Sequence, residues 1–93
     1  MKEKYNIEGF EIEFEKYDPE NKETRRRFLS YCFRIIRQES GMTRSDFAKW
    51  LGIPYRTMQE WELERRAMPE YLLRLIAYRV YNEKKVEQDG KNK

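Results

Sequence analysis

The chain of 93 residues has no histidine and one cysteine, Cys32. These absences argue against a zinc site with the usual ligands and a Ser-His-Asp triad, and an internal disulfide cannot form. Cys32 lies among apolar residues, so we interpret it as a small buried hydrophobic side chain. The four glycines form no phosphate-binding loop. We therefore expect neither an enzyme, nor a metal site, nor a cofactor.

Long apolar runs are also missing. No stretch is long enough to span a bilayer and the start has no signal-peptide pattern, so we expect a cytoplasmic protein with no membrane partner. The net charge of +3 conceals an asymmetry. Residues 1–23 hold eight acidic and four basic residues, whereas residues 24–93 hold nine acidic and sixteen basic ones. The basic segment, residues 24–93, is suited to binding a polyanion such as nucleic acid. The acidic segment, residues 1–23, is not, and we expect it to have another role.

Residues 9–17, GFEIEFEKY, alternate between apolar and charged side chains. Phe10, Ile12 and Phe14 point one way and the glutamates point the other, which is the period of a half-buried strand. A lone strand leaves its backbone groups unsatisfied. We therefore expect it to pair with Lys4–Ile7, with the same strand of a second protomer, or with another protein; the alternative is an unpaired extended segment packed on the helices.

Two longer helices are predicted on either side of the central segment. Asp18-Pro19-Glu20 is a helix-start signal, so the first helix should begin there or nearer Thr24 and end at Gly41. Its apolar positions define an inward face, with Tyr31 and Phe33 off that face and available to the N-terminal arm. The predicted inward residues are Phe28, Leu29, Cys32, Ile35 and Ile36.

Pro69 should open the last helix. We expect its inward face to consist of Leu72, Leu75, Ile76 and Val80. Leu73, Tyr78 and Tyr81 lie off that stripe and are the candidates for an exposed apolar patch that serves a dimer. From Glu83 the chain is polar and should fray, so residues 85–93 are predicted to be a disordered tail.

The segment from Arg44 to Leu63, RSDFAKWLGIPYRTMQEWEL, has the strongest pattern in the chain. Apolar residues at helical spacing form one inward stripe before Gly52 and another after it, and Ala48 leaves room for the helices to approach. Gly52 supplies the left-handed backbone of a three-residue turn. The pattern predicts a helix-turn-helix with helices over Arg44–Trp50 and from Tyr55 to about Glu64. The inward positions are Phe47, Leu51, Ile53, Met58 and Trp61.

Start signals accompany both of these helices. Thr43 with Asp46 approximates a capping box for the first of them. Pro54 suits the first turn of the second, where its missing N–H costs nothing.

The segment Gly41 to Tyr78, with GMTRSDFAKWLGIP and then YRTMQEWELERRAMPEYLLRLIAY, resembles lambda-repressor-like helix-turn-helix domains of the Cro/C1 or XRE family. Its RTMQEWE block followed by RR and P is typical of small bacterial regulators and of HigA-type antitoxins. The resemblance implies a mainly α fold, a bundle of four to five helices over residues 19–84. To this the chain adds an acidic N-terminal β-strand arm over residues 1–18, which the resemblance does not cover.

Two positions depart from the family pattern. Many relatives have Ser or Thr where Pro54 stands, so the helix that follows lacks a side-chain cap. Many have Gly where Glu64 stands. Keeping the left-handed backbone with Glu costs about 1 kcal/mol, unless the helix runs on to Arg65 or Arg66.

The resemblance implies that the helix starting at Tyr55 enters the major groove of double-stranded DNA. We expect base contacts from the residues off its buried stripe: Tyr55, Arg56, Gln59 and Glu60. Arg56 is the first candidate, because a guanidinium can bond both acceptors on a guanine edge. Gln59 suits an adenine, Tyr55 a thymine methyl or a phosphate, and Glu60 either a cytosine or an ion pair with Arg56.

Phosphate contacts are expected from side chains around these two helices: Thr43, Arg44, Lys49, Thr57, Arg65 and Arg66. They would make binding depend on salt without reading sequence. Relatives bind inverted repeats as two-fold dimers, so a homodimer is expected, with the last helix and the arm as its available surfaces. Trp50 is predicted to pack under the arm or against a partner.

Three functions remain open from the sequence. The first is a sequence-specific repressor. The second is an antitoxin that neutralises a toxin protein, in which case deleting residues 1–17 should abolish neutralisation and spare DNA binding. The third is a helix-turn-helix used only for protein interaction, against which the exposed Arg56 and Arg44 argue.

Overall fold

A computed structural model describes the backbone of residues 2–91 and the side chains of residues 2–83. Within this range the chain is mainly helical, with a small antiparallel sheet at its start, as predicted. The elements, in chain order, are β1 (Lys2–Ile7), β2 (Phe10–Glu15), α1 (Lys22–Ser40), α2 (Arg44–Leu51), α3 (Tyr55–Glu62) and α4 (Glu70–Lys91).

β1 and β2 form a hairpin, so the predicted strand pairs with the segment just before it, the first of the alternatives. The alternative of an unpaired extended segment is therefore wrong. Glu8 and Gly9 make the turn with φ values of 46° and 100°, and positive φ at both central residues is typical of two-residue hairpins. Tyr5 lies opposite Ile12 and Ile7 opposite Phe10, so the apolar side chains share one face.

The inner face of the hairpin belongs to the core. Ile7 and Ile12 are buried. Around Phe28 of α1, the rings of Tyr5, Phe14 and Tyr17 lie with centroids 4.8, 5.1 and 5.2 Å away. Removing residues 1–17 would therefore uncover the core, so this deletion would disturb the fold as well as remove the acidic arm.

α1 begins between the two predicted starts, at Lys22. The side chain of Asn21 caps it by accepting a hydrogen bond from the Thr24 N–H at 3.1 Å, and Gly41 ends it with φ 76°. Tyr31 contacts the hairpin as expected, with its ring centroid 5.6 Å from that of Phe14.

The expectation that Phe33 lies off the buried face of α1 is wrong. Phe33 is fully buried, with its ring centroid 5.7 Å from that of Phe47 and 5.8 Å from that of Trp61. The physical reason is that α1 packs against β2 and α4 as well as against α3. A helix covered from several sides buries more than a single stripe.

The segment between Gly41 and Glu64 follows the prediction closely. The Thr43 hydroxyl accepts a hydrogen bond from the Asp46 N–H at 3.2 Å, and Gly52 has φ 72°. α2 ends at Leu51, one residue later than predicted, and α3 ends at Glu62. Glu64 keeps the left-handed conformation with φ 62°, so α3 does not run on to Arg65 or Arg66.

The predicted faces of α4 are wrong at two residues. Leu73, expected on the exposed patch, is fully buried, and Leu75, expected inside, is exposed. The core side of α4 consists instead of Leu73, Ile76, Ala77 and Val80. Almost every residue from Leu72 to Tyr81 is apolar, so the period alone does not indicate which face meets the core.

Tyr78 and Tyr81 are exposed, as expected. The backbone of α4 is helical to Lys91, and thus extends into residues 85–93, for which we predicted disorder. Asn92 and Lys93 lie outside the described residues. In the part of the chain that the structure describes, none of the helices has the length and apolar character that crossing a bilayer requires.

Candidate nucleic-acid interface

α3 divides into a buried side and a solvent side. Met58, Trp61 and Glu62 are buried. Because successive residues of a helix are about 100° apart, Arg56 lies opposite that buried side. The predicted base-reading residues are all accessible: Tyr55 and Arg56 are exposed, and Gln59 and Glu60 are half-buried. Arg56 and Glu60 do not form an ion pair within the described residues, so both side chains remain available to a ligand.

The start of α3 has no side-chain cap. Pro54 occupies the capping position and makes no side-chain hydrogen bond to the first turn. The expectation that this helix lacks a side-chain cap is therefore confirmed. The N–H groups of the first turn therefore face solvent without a side-chain acceptor, next to Tyr55 and Arg56.

The predicted phosphate-binding residues surround α3 but do not form one cluster. Thr43 and Lys49, on α2 and its cap, are exposed, and Thr57 is half-buried. Arg65 and Arg66 are exposed beyond the other end of α3, about 12 Å along the axis of this eight-residue helix from Tyr55. The oxygen of Thr43 already accepts the capping bond, which leaves its hydroxyl hydrogen free to donate.

A buried carboxylate joins α1, α2 and α3. The Glu62 side chain is 1% exposed and accepts a hydrogen bond from Arg37 Nε at 2.7 Å. Its other oxygen is ion-paired with Arg44 Nε. Arg37 also donates to the Met42 carbonyl at 3.3 Å, which fixes the loop between α1 and α2. We call Arg37, Arg44 and Glu62 the buried ion cluster.

Sequence reasoning missed Arg37 and Glu62, although a signal for Glu62 was present. Glu62 follows Met58 by four residues, so it falls on the buried stripe of α3. A carboxylate on a buried stripe requires a cation, because an unpaired buried charge is strongly unfavourable. Nothing in the sequence around Arg37 identifies it as that cation, since five other arginines also lie in residues 25–44.

The buried ion cluster keeps Arg44 charged and partly available. Burial lowers the pKa of the Arg44 guanidinium, but the Glu62 carboxylate and the Tyr55 hydroxyl outweigh that effect, so the pKa is raised overall. About a third of the Arg44 side chain, 32%, is exposed. Two guanidinium groups and one carboxylate leave a net positive charge around Glu62, the last residue of α3.

Trp50 fixes α2 against α4 and does not pack under the hairpin. Its ring stacks on Phe47 with centroids 5.9 Å apart. The guanidinium of Arg79 lies 3.9 Å above the Trp50 ring and donates to the Trp50 carbonyl at 3.1 Å. This cation–π contact holds the far end of α2 in place.

Comparison with protein-family models, with curated proteins and with solved structures gave no match to this chain.

Proposed function

We propose that the chain is a sequence-specific DNA-binding regulator of the lambda-repressor-like helix-turn-helix type, and that it acts as a repressor. In this proposal α3 enters the major groove and a homodimer binds an inverted repeat. The observation that carries the proposal is the outward face of α3. It presents Arg56 with Tyr55, Gln59 and Glu60, on a body in which residues 24–93 hold sixteen basic and nine acidic residues.

Each part of the face has a chemical role in this proposal. Arg56 donates two hydrogen bonds to the O6 and N7 acceptors of a guanine, a pairing worth roughly 1–3 kcal/mol against another base. Gln59 donates and accepts on an adenine edge, one helical turn further along α3. The uncapped first turn of α3 adds N–H groups directed at a phosphate.

In this proposal Arg44 binds the phosphate backbone of the DNA. Its Nε is paired with Glu62 and its guanidinium is hydrogen-bonded to Tyr55, so these two contacts orient the group while its remaining terminal N–H groups are left for a phosphate. If Arg44, Lys49, Arg65 and Arg66 each neutralise one phosphate in both protomers, log K falls with log salt at a slope of about −7.

The experiment starts from an operator selected out of a random DNA pool. Binding of the wild type and of Arg56→Ala is then measured on the operator and on its single-base variants. We expect Arg56→Ala to relax preference at one base pair by about 5- to 150-fold. Arg65→Ala should weaken binding to every sequence alike and reduce the salt slope by about 1 for each phosphate lost. Arg27→Ala, on the hairpin side of α1, is the matched control and should bind as the wild type does.

Two results would count against the proposal. If Arg56→Ala loses the same factor on every sequence, α3 does not read bases through Arg56. If the wild type shows no salt-sensitive DNA binding at all, the protein is an interaction module and not a DNA-binding regulator.

A second candidate is an antitoxin, favoured by the outer face of the hairpin. Glu11, Glu13 and Glu15 are exposed, and within the described residues β2 is hydrogen-bonded only to β1. A basic strand of a toxin could pair with the other edge of β2. A toxic product encoded beside this gene is the first thing to look for.

Because deletion of the hairpin uncovers the core, the antitoxin role calls for a surface substitution. Glu13→Lys should abolish neutralisation and leave DNA binding intact, whereas Glu20→Lys, exposed in the turn before α1, serves as the control. Full neutralisation by the Glu13→Lys protein would refute this role for the hairpin.

A further inference from the structure

α1 contains five arginines, and two of them have no carboxylate partner among the residues that the structure describes. Arg26 and Arg34 are half-buried, and the Nε of each is covered by the protein without a hydrogen bond. The other three each pair with a carboxylate, at N–O distances of 3.2, 3.5 and 2.7 Å: Arg25, Arg27 and Arg37. We call Arg26 and Arg34 the unpaired arginines of α1.

The unpaired arginines of α1 have an unmet need for an oxygen acceptor. A covered N–H without an acceptor is unfavourable, because it has lost its hydrogen bond to water, and native proteins rarely retain one without a reason. The terminal nitrogens of both side chains are not covered and make no hydrogen bond within the described residues. The Arg34 guanidinium lies 5.9 Å from the centroid of the Tyr31 ring, a cation–π contact that orients it without supplying an oxygen. Both side chains are therefore held at the surface with their charge available to an anion.

The side of α1 that carries these two arginines packs against the end of α3. Arg26, Ser30 and Arg34 lie at four-residue spacing, so they share one side of the helix. The hydroxyl of Ser30, which is buried, donates to the carbonyl of Trp61 in the last turn of α3. The unpaired arginines therefore lie on either side of the point where α1 meets α3, the helix that the proposed function places in the major groove.

The surface around this contact has an excess of positive charge. An open groove of about 200 Å³ lies at its Arg26 end, lined by Glu23, Arg26, Arg27 and Glu64. Glu64 is followed by Arg65 and Arg66, both of which are exposed. Counting the side chains that form no ion pair within the described residues, four arginines and two glutamates leave a net charge of +2 here: Arg26, Arg34, Arg65, Arg66, Glu23 and Glu64.

We propose that the unpaired arginines of α1 bind the phosphate backbone of the DNA, beside the groove that α3 enters. The inference rests on the proposed function and extends its contact surface from α2 and α3 to α1. Arg26 and Arg34 are eight residues apart, which is about 12 Å along the helix. Phosphates of one strand follow each other about every 3.4 Å along a duplex, so a helix lying along the strand spans about four nucleotides over this distance. The ligand that the two arginines fit is therefore one whose negative charge repeats along its length.

Contacts of this kind add affinity without reading sequence. Each phosphate that is neutralised adds about 0.9 to the steepness of log K against log salt. If two protomers bind, Arg26 and Arg34 contribute four contacts beyond the eight already assigned, and the slope changes from about −7 to about −11. The salt dependence of binding therefore reports whether α1 takes part.

Two double variants with the same change in net charge test the inference. Arg26→Gln/Arg34→Gln removes the unpaired arginines, and the control Arg25→Gln/Arg27→Gln removes two arginines of the same helix that already pair with carboxylates. Binding to the selected operator is measured from about 50 to about 200 mM salt. Over this range Arg26→Gln/Arg34→Gln should lose affinity by a factor about 12-fold smaller, for each bound protomer, than the wild type and the control do. Preference for the operator over its single-base variants should stay unchanged in both double variants.

Ethylation of single phosphates in the operator locates the contacts. Phosphates that lie against Arg26 or Arg34 should hinder binding of the wild type when they are ethylated, and the same phosphates should cease to matter for Arg26→Gln/Arg34→Gln. Circular dichroism establishes that the variants are folded. Because the substitutions remove covered N–H groups that lack an acceptor, the Tm of Arg26→Gln/Arg34→Gln should be no lower than that of the wild type.

The outcomes separate this inference from the proposed function. If Arg26→Gln/Arg34→Gln binds the operator with the affinity and salt slope of the wild type, the inference is overturned and the proposed function stands. An equal fall in slope for both double variants also overturns it, because net charge alone would then account for the effect. If Arg26→Gln/Arg34→Gln lowers the slope but Arg56→Ala changes no base preference, the contact on α1 exists and the proposed base reading fails. A wild type that binds no DNA refutes both.

Discussion

Replacement of Glu62 by Gln should destabilise the protein far more than replacement of any exposed carboxylate. The substitution keeps the size of the side chain and removes the charge that compensates Arg37 and Arg44. Taking one partner from a fully buried ion pair costs about 3–5 kcal/mol, because the remaining charge is left without compensation. Here Arg37 and Arg44 retain 18% and 32% of their exposure, so water recovers part of that cost.

We therefore expect a loss of about 2–3 kcal/mol in the free energy of unfolding. For a domain of this size that corresponds to a fall in Tm of roughly 10–20 °C. Urea denaturation followed by circular dichroism gives the free energy directly, and a scan of temperature gives Tm. Glu60→Gln is the matched control on the same helix, because Glu60 is half-buried and outside the ion cluster; it should change the free energy by less than about 0.5 kcal/mol.

A double-mutant cycle that combines Glu62→Gln with Arg37→Met then measures the interaction energy between Glu62 and Arg37. If the carboxylate is needed mainly to compensate Arg37, the two substitutions together should cost less than the sum of their separate effects. A Glu62→Gln protein as stable as Glu60→Gln would refute the reasoning, since it would mean that α1, α2 and α3 do not depend on the ion cluster.

Three further substitutions or measurements probe other parts of the fold. Gly9→Ala should cost about 1–3 kcal/mol in urea denaturation, because φ is 100° there and a Cβ would lie 2.7 Å from the Tyr81 ring. Glu64→Gly should raise the free energy of unfolding by about 1 kcal/mol by relieving its left-handed backbone, and Glu64→Ala should give no such gain. Burial raises the pKa of the Cys32 thiol to about 12, so at pH 8 a thiol reagent should label it only as fast as the protein opens; immediate labelling of the native protein would contradict this burial.

The local signals between Gly41 and Glu64 made that part of the fold predictable. A helix cap such as Thr43, a left-handed glycine such as Gly52 and a four-residue spacing act within one or two turns, so the sequence contains them in full. The hairpin was predictable in part for the same reason. Its alternation indicated β2, whereas its partner β1 was one of several alternatives until the register was known.

The remaining features depend on what each element meets in three dimensions. A run of apolar residues does not indicate which side of α4 faces the core, so Leu73 and Leu75 were assigned to the wrong faces. Phe33 is buried because α1 is covered from several sides, and Arg37 finds Glu62 across 25 positions of sequence. In the candidate interface, the helical period was enough to predict which residues of α3 are exposed. It did not predict the buried ion cluster that holds Arg44.

The docking of the hairpin on α4 ties the first residues of the chain to its last helix. Glu8 and Arg74 are 66 positions apart, and the Gly9 turn sits against the ring of Tyr81. During synthesis the hairpin therefore emerges long before α4 can cover it, and its contacts form late. In the folded protein the two ends should open as one cooperative unit, so the amide hydrogens of β1 that are hydrogen-bonded to β2 should exchange as slowly as those of α4 between Leu73 and Val80. An N-terminal strand would then be as protected as the centre of the domain, although chain ends are ordinarily the first parts to fray.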